Sequence, residues 1–438
     1  MRFLGVTETC DLGALYLRLQ EDGHEVRVAV AEPLAQNTLA GMIPRSMDWK
    51  AELDWIRAAG NEGVILFEAV SEGYGALQDQ LRRQGFNVIG GSRFGDRLEN
   101  DRAFAQELLA ELGFPRGHVW EFTDGDAADR FLVDHPGRYV IKFSGPDFRS
   151  SDNYVGQFGS GEDVRSVMAA KLRQCGEDTK FILMQHISGI EMGVGAYFDG
   201  TAFLRPACLD WEHKGFFPGE MGELTGEMGT VATFDRSEGF FSRTLARLEP
   251  YLRQAGHVGY VNMNTIVNEH GIWPLEFTSR FGYPGFAVLD PLQQSSWAEL
   301  FRSMVTRSQQ SFRVVPGFCV GVLLTTPPFP YSRHEVDETV GLPIFFDRAL
   351  GEEDWRHVHF GEVGKEDGQL VTSGLYGWTM VATGTGPTIQ AAKQAAYDRL
   401  RRIVVPRGRY RLDIGDRLIE GELGRLEALG MFDGQGTR

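Results

Sequence analysis

The sequence predicts an α/β fold whose first part is a parallel sheet covered by helices on both faces. Short apolar runs alternate with segments of helical periodicity through the first 90 residues, and short connections join them. The chain has 438 residues, 42% of them hydrophobic and 24% charged, which is an ordinary globular composition. The predicted strands of this part are Phe3–Val6, Val26–Val30, Gly63–Phe67 and Asn87–Ile89, and its predicted helices are Asp11–Glu21, Trp49–Ala59 and Tyr74–Gln84.

The middle and the end of the chain predict mixed structure instead. A helix that begins near residue 96, with Asn100 as a cap, is stopped at Gly113. The polar segment 145–154 has no apolar period and predicts a loop, and Asp199-Gly200 predicts a tight turn. The remaining predicted elements are the strands Tyr139–Phe143, Phe181–Gln185, Gly193–Phe198, Ala202–Cys208, Val258–Asn268 and Ile272–Glu276, and the helices Phe240–Ala255 and Thr388–Val404.

Composition excludes several classes of protein. Lys and Arg total 44 and Asp and Glu total 60, so the net charge of −16 argues against a nucleic-acid scaffold, which needs a basic excess. No apolar run reaches the length of a membrane span, and the first residues do not resemble a signal peptide. The four cysteines are far apart in sequence, which indicates thiols in a reducing compartment, so we expect a cytoplasmic protein.

Glycine is unusually frequent, with 54 residues. The segment 215–229 is rich in glycine and could present backbone N–H groups to a phosphate or carboxylate. It is not a P-loop, the turn after the first strand is not a dinucleotide fingerprint, and no Gly-x-Ser-x-Gly elbow occurs. Whether the richness in glycine is structural or functional is open at this point.

The clearest candidate site lies on the hairpin formed by 258–276. Side chains alternate along a strand, so Glu276, Thr278 and Arg280 share one face, and Asn264 lies on the partner strand. One carboxylate, two neutral oxygens and an arginine suit a site for magnesium and a polyphosphate. The same pattern is also typical of a solvated strand face that carries a Glu–Arg ion pair.

Two further residues are weaker candidates by themselves. Lys142 ends a predicted strand and could reach a phosphate as a point charge, although an edge lysine with its ammonium group in water has the same pattern. Glu191 could accept hydrogen bonds from a ribose, and it is also typical of a surface glutamate.

Several motifs in a fixed order carry a resemblance to a known family. They are Gly90–Ser92, Leu98–Leu109, Val140–Gly145, Phe181–Glu191, Glu212–Lys214, Leu224–Gly229, Leu275–Pro284 and Val371–Gly374. Together they resemble the ATP-grasp ligases, in particular the phosphoribosylamine–glycine ligases. The resemblance implies an ATP-grasp fold preceded by a Rossmann-like parallel-sheet domain and followed by a small mixed C-terminal domain. We therefore predict domains at 1–95, 96–314 (with an ATP lid at about 120–190) and 315–438.

The resemblance also implies a reaction. ATP and Mg²⁺ (or Mn²⁺) would convert a small carboxylate into an acyl phosphate, which a small amine would attack. Such a ligase would be a monomer or homodimer in the cytoplasm. The residues carried over by position are Arg102 and Lys142 for the ATP phosphates, Gln185 and Ile187 for adenine, Glu191 for ribose, Glu276, Asn264 and Thr278 for the metal, and Arg280, Lys214 and Thr225 for catalysis.

Departures from the family pattern define three hypotheses. The family has asparagine where this chain has Thr278 and lysine where it has Arg102. The Gly-Gly-Arg-Glu-His-Ala loop of the family and its Gly-Asp-Pro-Glu run are missing, and both serve the amine substrate in the family. We therefore expect a carboxylate–amine ligase with a different amine. The alternatives are a true phosphoribosylamine–glycine ligase of purine biosynthesis and an ATP-binding protein that has lost catalysis.

Overall fold

The computed structural model describes residues 1–68, 73–144, 153–175, 179–283, 285–346 and 350–432. The chain divides into two compact units. The first comprises Met1–Glu107, Glu191–Thr265 and Leu275–Arg438, and the second comprises Leu108–Ile190 and Ile266–Pro274. The predicted domain boundaries near residues 95 and 315 both fall inside segments of the first unit and stay predictions.

The N-terminal part is the predicted parallel sheet. Its strands are β1 (Arg2–Thr7), β2 (Glu25–Val30), β3 (Gly63–Phe67) and β4 (Val88–Ile89), in the order β2-β1-β3-β4. Its helices are α1 (Gly13–Glu21), α2 (Leu53–Arg57) and α3 (Tyr74–Arg83). Phe3 and Leu66 enter one hydrophobic cluster and Leu4 and Ile65 another, so the sheet is buried on both faces, as alternating side chains require.

Two short helices, α4 (Arg93–Asn100) and α5 (Arg102–Glu111), follow the sheet. The predicted cap at Asn100 is wrong, because Asn100 is the last residue of α4. The Asp101 carboxylate accepts a hydrogen bond from Phe104 N (3.0 Å) and serves as the cap of α5 instead. Aspartate and asparagine are equally good capping residues, so the sequence alone does not decide which of Asn100 and Asp101 caps the helix.

The second unit contains a four-stranded antiparallel sheet. Its strands are β5 (Val119–Phe122), β6 (Tyr139–Ser144), β7 (Tyr154–Val155) and β8 (Lys180–Gln185), in the order β5-β8-β6-β7. Helices α6 (Gly125–Asp134) and α7 (Glu162–Cys175) pack on it around Leu132, Ile141 and Leu183. Most of the predicted loop 145–154 lies outside the described residues, and its last residue, Tyr154, begins β7.

An eight-stranded sheet dominates the rest of the fold. Its strands are β9 (Ile190–Phe198), β10 (Cys208–Phe217), β11 (Met221–Thr233), β12 (Gly259–Asn268), β13 (Gly271–Thr278), β14 (Phe318–Thr325), β16 (Val358–Phe360) and β19 (Trp378–Gly386). Their order is β13-β12-β9-β10-β11-β14-β19-β16. The C-terminal part mixes strands and helices as predicted, and three of its strands continue this sheet.

Smaller elements complete the chain. The pairs β15 (Phe345–Phe346) with β20 (Ile403–Val404) and β17 (Val363–Glu366) with β18 (Gln369–Thr372) form two-stranded sheets. The remaining helices are α8 (Glu238–Arg243), α9 (Glu249–Ala255), α10 (Gly285–Leu289), α11 (Trp297–Thr306), α12 (Glu352–Trp355), α13 (Ile389–Leu400) and α14 (Leu423–Ala428). None of the helices in the described ranges has the length and apolar character needed to cross a bilayer.

Three predicted elements are wrong. The predicted strand Ala202–Cys208 makes only two isolated bridges, at Phe203 and Arg205, and the regular strand begins at Cys208. The predicted helix Phe240–Ala255 is split into α8 and α9, because Pro250 lacks the N–H that a continuous helix would use. The helix from Thr388 ends at Leu400, since the following β-branched residues pair as β20.

Candidate functional site on the large sheet

The site is built on strand β10 of the first unit. Asp210, Glu212 and Lys214 alternate with the buried Trp211 and His213, so their side chains share the opposite face of the sheet. The strands on this side of β10 follow the order β13-β12-β9-β10. Their polar side chains on the same face are Glu191 of β9, Asn262 and Asn264 of β12, and Glu276 of β13.

Lys214 lies at the centre of this face. Its Nζ atom is 2.9 Å from Glu276 Oε1, 3.1 Å from Glu191 Oε1 and 3.2 Å from Glu212 Oε2. Burial would lower the pKa of Lys214, but the three carboxylates outweigh it and raise the pKa above its usual value. The site therefore holds a fixed cation that three strands share, with Glu276, 58% exposed, as its most accessible carboxylate.

A glycine on the central strand makes this arrangement possible. Gly193 of β9 is paired with Asp210, and a Cβ atom there would lie 2.1 Å from Asp210 Oδ1 and 2.7 Å from Asn264 Oδ1. Because Gly193 has no side chain, Asn262 Nδ2 donates to Asp210 Oδ2 across the intervening strand (2.7 Å). Gly193 therefore has a packing role, because it lets polar side chains from non-adjacent strands meet.

The residues predicted for a metal are partly in contact. Asn264 Nδ2 lies 3.5 Å from Glu276 Oε1 and 3.3 Å from both carboxylate oxygens of Glu212. Thr278 ends β13, two residues beyond Glu276 and therefore on the same face by alternation. In the described part of the chain, no group of three or more His, Cys, Asp or Glu side chains is arranged to hold a metal ion.

That finding is compatible with magnesium, which is commonly bound by one or two carboxylates together with substrate phosphates. Three carboxylates already converge on one cationic nitrogen, so the donor set of this face is made of hard oxygens that accept a cation. The oxygen chemistry of Glu276 and Asn264 thus fits a magnesium ion that shares its ligands with a polyphosphate.

Two buried carboxyl groups beside Lys214 are incompletely satisfied. Asp210 Oδ1 and Glu227 Oε1 have no hydrogen-bond partner among the described residues. Burial raises the pKa of Asp210 to about 8, and the Glu212 carboxylate adds to the rise. Burial, followed by the charge of Glu212, also raises the pKa of Glu227 well above its usual value. Such groups are rare in native proteins and concentrate at functional sites.

The predicted catalytic residues lie in different surroundings. Thr225 Oγ1 donates to the carbonyl oxygen of Lys214 (2.8 Å), so it supports the strand that carries the lysine. Arg280 pairs with Glu99 of α4 (3.1 Å), and the Glu99 carboxylate also accepts from Ser279 N (3.0 Å). The ion pairs of the described residues therefore assign Arg280 and Lys214 to separate carboxylates.

The other predicted nucleotide-binding residues are distributed over both units. Arg102 begins α5 in the first unit. In the second unit, Lys142 lies on β6 opposite Ile182, and Gln185 ends β8, where its N–H donates to His118 O (2.9 Å). Ile187 lies two residues further on, with its Cδ1 atom 3.6 Å from the place that a Cβ atom would take at Gly117.

The turn after β1 lies in the N-terminal part of the chain, which lacks the Gly-Gly-Arg-Glu-His-Ala loop of the family. A carboxyl group of the protein itself contacts this turn. Glu68 follows β3, and its carboxylate accepts hydrogen bonds from Leu12 N (2.7 Å) and from the Tyr16 hydroxyl (2.5 Å). Burial raises the pKa of Glu68 to about 8, with a further rise from Asp11. The chain thus fills the carboxyl end of this parallel sheet with its own acid.

Sequence reasoning missed Asp210, Glu212, Asn262 and Glu227 as site residues. The signal for the first two was present, because two acids and a lysine alternate with Leu209, Trp211 and His213 along 208–214. Asn262 and Asn264 show the same spacing of two. Glu227 had no such signal, since the pairing of β10 with β11 is irregular before it.

Comparison with known proteins identifies relatives in sequence and in fold. The phosphoribosylamine–glycine ligase of Nostoc sp. is 27% identical over 358 residues, which cover 78% of this chain and 81% of the relative. The enzyme of that name from Mycobacterium tuberculosis is 25% identical over 383 residues, covering 84% and 86%. The chain resembles the phosphoribosylamine–glycine ligases. No protein-family model matches it.

Solved structures confirm the ATP-grasp fold. The phosphoribosylamine–glycine ligase of Thermotoga maritima superposes with a TM-score of 0.68 at 21% identity, covering 94% of this chain and all of that one. The biotin carboxylase domain of Hydrogenobacter thermophilus 2-oxoglutarate carboxylase, a complex with MgADP, gives 0.59 at 10% identity and covers 99% of both chains. The predicted resemblance, fold and enzyme class, an ATP-grasp ligase, are confirmed.

Proposed function

We propose that the protein is an ATP-dependent carboxylate–amine ligase of the cytoplasm that acts through an acyl phosphate. The observation that carries the proposal is the cluster of Lys214 with Glu191, Glu212 and Glu276 on the large sheet. A carboxylate oxygen is a poor leaving group until it is phosphorylated, so the enzyme must position two anions and neutralise their charge. A fixed ammonium group on a face of hard oxygen donors suits that task.

A magnesium ion held by Glu276 and Asn264, with Thr278 beside them, would supply neutralisation of the phosphate charge. The protein residues would do the rest. Lys142 and Arg102 are proposed to contact the phosphates, Gln185 and Ile187 the adenine, and Glu191 the ribose. Lys214 and Arg280 are proposed to stabilise the charge of the acyl phosphate, with Thr225 holding the backbone of Lys214.

We further propose that the amine is not phosphoribosylamine. The turn after β1 holds the buried Glu68 carboxylate, which accepts hydrogen bonds from Leu12 N and the Tyr16 hydroxyl. Tyr283 lies where the family has its Gly-Asp-Pro-Glu run, and the centroid of its ring is 4.9 Å from that of Trp378 in a stacked arrangement. Neither the buried Glu68 side chain nor the aromatic stack offers a phosphate the positive charge that it needs, so both changes favour an unphosphorylated amine.

The test is release of ADP from ATP and Mg²⁺ with a panel of carboxylates and amines that includes glycine with phosphoribosylamine. A productive pair should also form a hydroxamate when hydroxylamine replaces the amine, since hydroxylamine traps acyl phosphates. Glu276→Ala should reduce ADP release by at least ~100-fold, the scale of losing one preorganised electrostatic group. Glu269→Ala, an exposed acid in the turn of the same hairpin, is the matched control.

A second candidate is a true phosphoribosylamine–glycine ligase, which the names of the sequence relatives favour. Formation of glycinamide ribonucleotide from the panel would establish it and end the proposal of a different amine. ATP binding without ADP release from any pair would instead support a nucleotide-binding protein without catalysis.

A further inference from the structure

Arg411, near the end of the chain, is buried against the strand that carries Lys214. Its side chain is only 1% exposed. Two guanidinium nitrogens donate to the Asp413 carboxylate at 2.7 and 2.8 Å. The third, Nη1, donates to Gly215 O and contacts Glu220 Oε1, both at 2.9 Å. A buried guanidinium with this many partners is rigid, so it fixes whatever it contacts.

Glu220, one of these partners, also contacts the backbone of Lys214. The other carboxylate oxygen of Glu220, Oε2, accepts hydrogen bonds from Lys214 N (3.1 Å) and Gly215 N (2.8 Å). The Asp413 carboxylate in turn accepts from Gly219 N (2.9 Å), which holds the turn between β10 and β11. A continuous chain of hydrogen bonds therefore runs from Arg411 through Glu220 to the backbone of Lys214.

The residues after Arg411 hold the preceding part of β10. Gly415 N donates to His213 Nε2 (3.1 Å), and Arg417 Nη2 donates to Glu212 O (2.5 Å). Burial lowers the pKa of His213 to about 3, with a further contribution from Arg417, so the ring stays neutral and able to accept. Segment 411–417, called here the C-terminal strap, thus contacts each residue from 212 to 215 directly or through Glu220.

Strand β10 needs such support at this point. Its register with β11 shifts between His213 and Gly215 and again between Gly215 and Phe217. Regular ladder hydrogen bonds normally fix the height and direction of a side chain on a sheet, and a bulge removes that constraint. Lys214 lies inside the first shift, so the regular ladder with β11 does not include it, and its backbone is held by side chains: Thr225 Oγ1 donates to Lys214 O (2.8 Å) and Glu220 Oε2 accepts from Lys214 N (3.1 Å).

We propose that the C-terminal strap is a positioning device that holds Lys214 on the three carboxylates of the site, with Arg411 as its central residue. This inference rests on the proposed function only in taking Lys214 as part of the ligase site. The strap is separated from β10 by almost 200 residues, so it would link completion of the C-terminal part of the fold to assembly of the site.

Arg411→Lys and Asp413→Asn are the test variants, and Arg409→Lys is the control. Arg409 lies two residues before the strap, and its guanidinium donates to Phe329 O (2.6 Å) and packs over the Phe216 ring. We expect both test variants to lower kcat by about 10- to 100-fold, the range for small misplacement of a catalytic group, with little change in KM for ATP. Millimolar guanidinium chloride should restore part of kcat to Arg411→Ala.

A second measurement does not depend on turnover. A short pulse of acetic anhydride, followed by peptide mass spectrometry, reports how freely each lysine acylates. Lys214 is expected to be protected in the protein and to acylate several-fold faster in Arg411→Lys and Asp413→Asn, with exposed Lys365 as the internal reference. Asp413→Asn keeps the side-chain shape, so it provides the readout if Arg411→Lys does not fold.

The outcomes separate this inference from the proposed function. If both test variants keep the kcat of Arg409→Lys and the Lys214 protection of the unmodified protein, the strap has no positioning role, even if their melting temperatures fall. If no substrate pair yields ADP with the unmodified protein, the ligase proposal fails, while the acylation experiment still decides whether the strap holds Lys214.

Discussion

Two buried acidic sites of the first unit are satisfied in opposite ways. Glu362 is surrounded by backbone donors: Leu375 N (2.7 Å), Tyr376 N (3.0 Å), Gly377 N and Trp378 N (3.1 Å). Burial raises its pKa to about 7, although these hydrogen bonds act to lower it. Asp210, beside Lys214, has one amide donor from Asn262 and one oxygen without a partner in the described structure, and its pKa rises to about 8.

The difference separates an acid that stabilises the fold, Glu362, from acids beside Lys214 whose hydrogen-bonding capacity is only partly used. Glu362 uses both oxygens to fold the turn 375–377, so the chain gains order from every contact. Asp210 and Glu227 keep acceptor capacity that the fold leaves unused. Leaving a buried acceptor unpaired costs about 1–3 kcal/mol, and such a cost is typical of sites shaped for a ligand or a reaction.

Replacing Lys214, the cation beside Asp210 and Glu227, should have the largest effect on activity and stability. Lys214→Met leaves three carboxylates without their shared cation, so ADP release should fall by more than ~100-fold and stability by about 3–5 kcal/mol. Urea unfolding and a coupled ADP assay measure the two effects. Lys365→Met, at an exposed position, should match the unmodified protein in both. A Lys214→Met protein that is stable and active would remove the lysine from the site.

Gly193→Ala tests the space between the strands. The added Cβ would lie 2.1 Å from Asp210 Oδ1, so we expect a loss of about 3 kcal/mol in the free energy of unfolding, measured in urea, together with loss of activity. Gly226→Ala is the matched control on β11, since its Cβ would meet only the Trp378 ring at 3.8 Å. Equal stability of the two variants would show that the strands can separate to admit a methyl group.

Amide replacements compare the two acids directly. Glu362→Gln places an amide N–H₂ group against backbone N–H donors, so it should lower the free energy of unfolding by about 2 kcal/mol. Asp210→Asn resembles the protonated acid and keeps an acceptor for Asn262, so stability at pH 7 should change by less than about 1 kcal/mol. Thermal unfolding of both variants checks the order. A larger loss for Asp210→Asn would mean that its charge, rather than its shape, supports the fold.

The smallest effect concerns pH. The folded-state pKa of Asp210, about 8, exceeds its ordinary value of 3.8, so the folded state binds the extra proton and stability falls as pH rises toward 8. Between pH 7 and 8, above the pKa of Glu362, Asp210 should account for about 1 kcal/mol of this fall. Urea unfolding across that window should give a flatter slope for Asp210→Asn. An identical slope would assign the titration to another group.

The sequence by itself determined features that depend on local periodicity. Alternating strands and helices predicted the N-terminal parallel sheet with its two buried faces. The spacing of Asn264 and Glu276 on one hairpin predicted that these side chains would share a face, and they are in contact at 3.5 Å. The ATP-grasp fold was predicted from the resemblance to a family, because the periodicities of strands and helices indicate single elements and not their arrangement.

Only the tertiary structure decided which charges meet. Lys214 contacts Glu191 because β9 lies between β12 and β10, and Asp210 reaches Asn262 because Gly193 leaves the space open. Strand order is a property of the whole sheet and leaves no local signal. The same reason applies to the strap, which contacts β10 from the far end of the chain. Arg411 is buried against Gly215 and Glu220, and the periodicity of the sequence carries no information about contacts between residues so far apart.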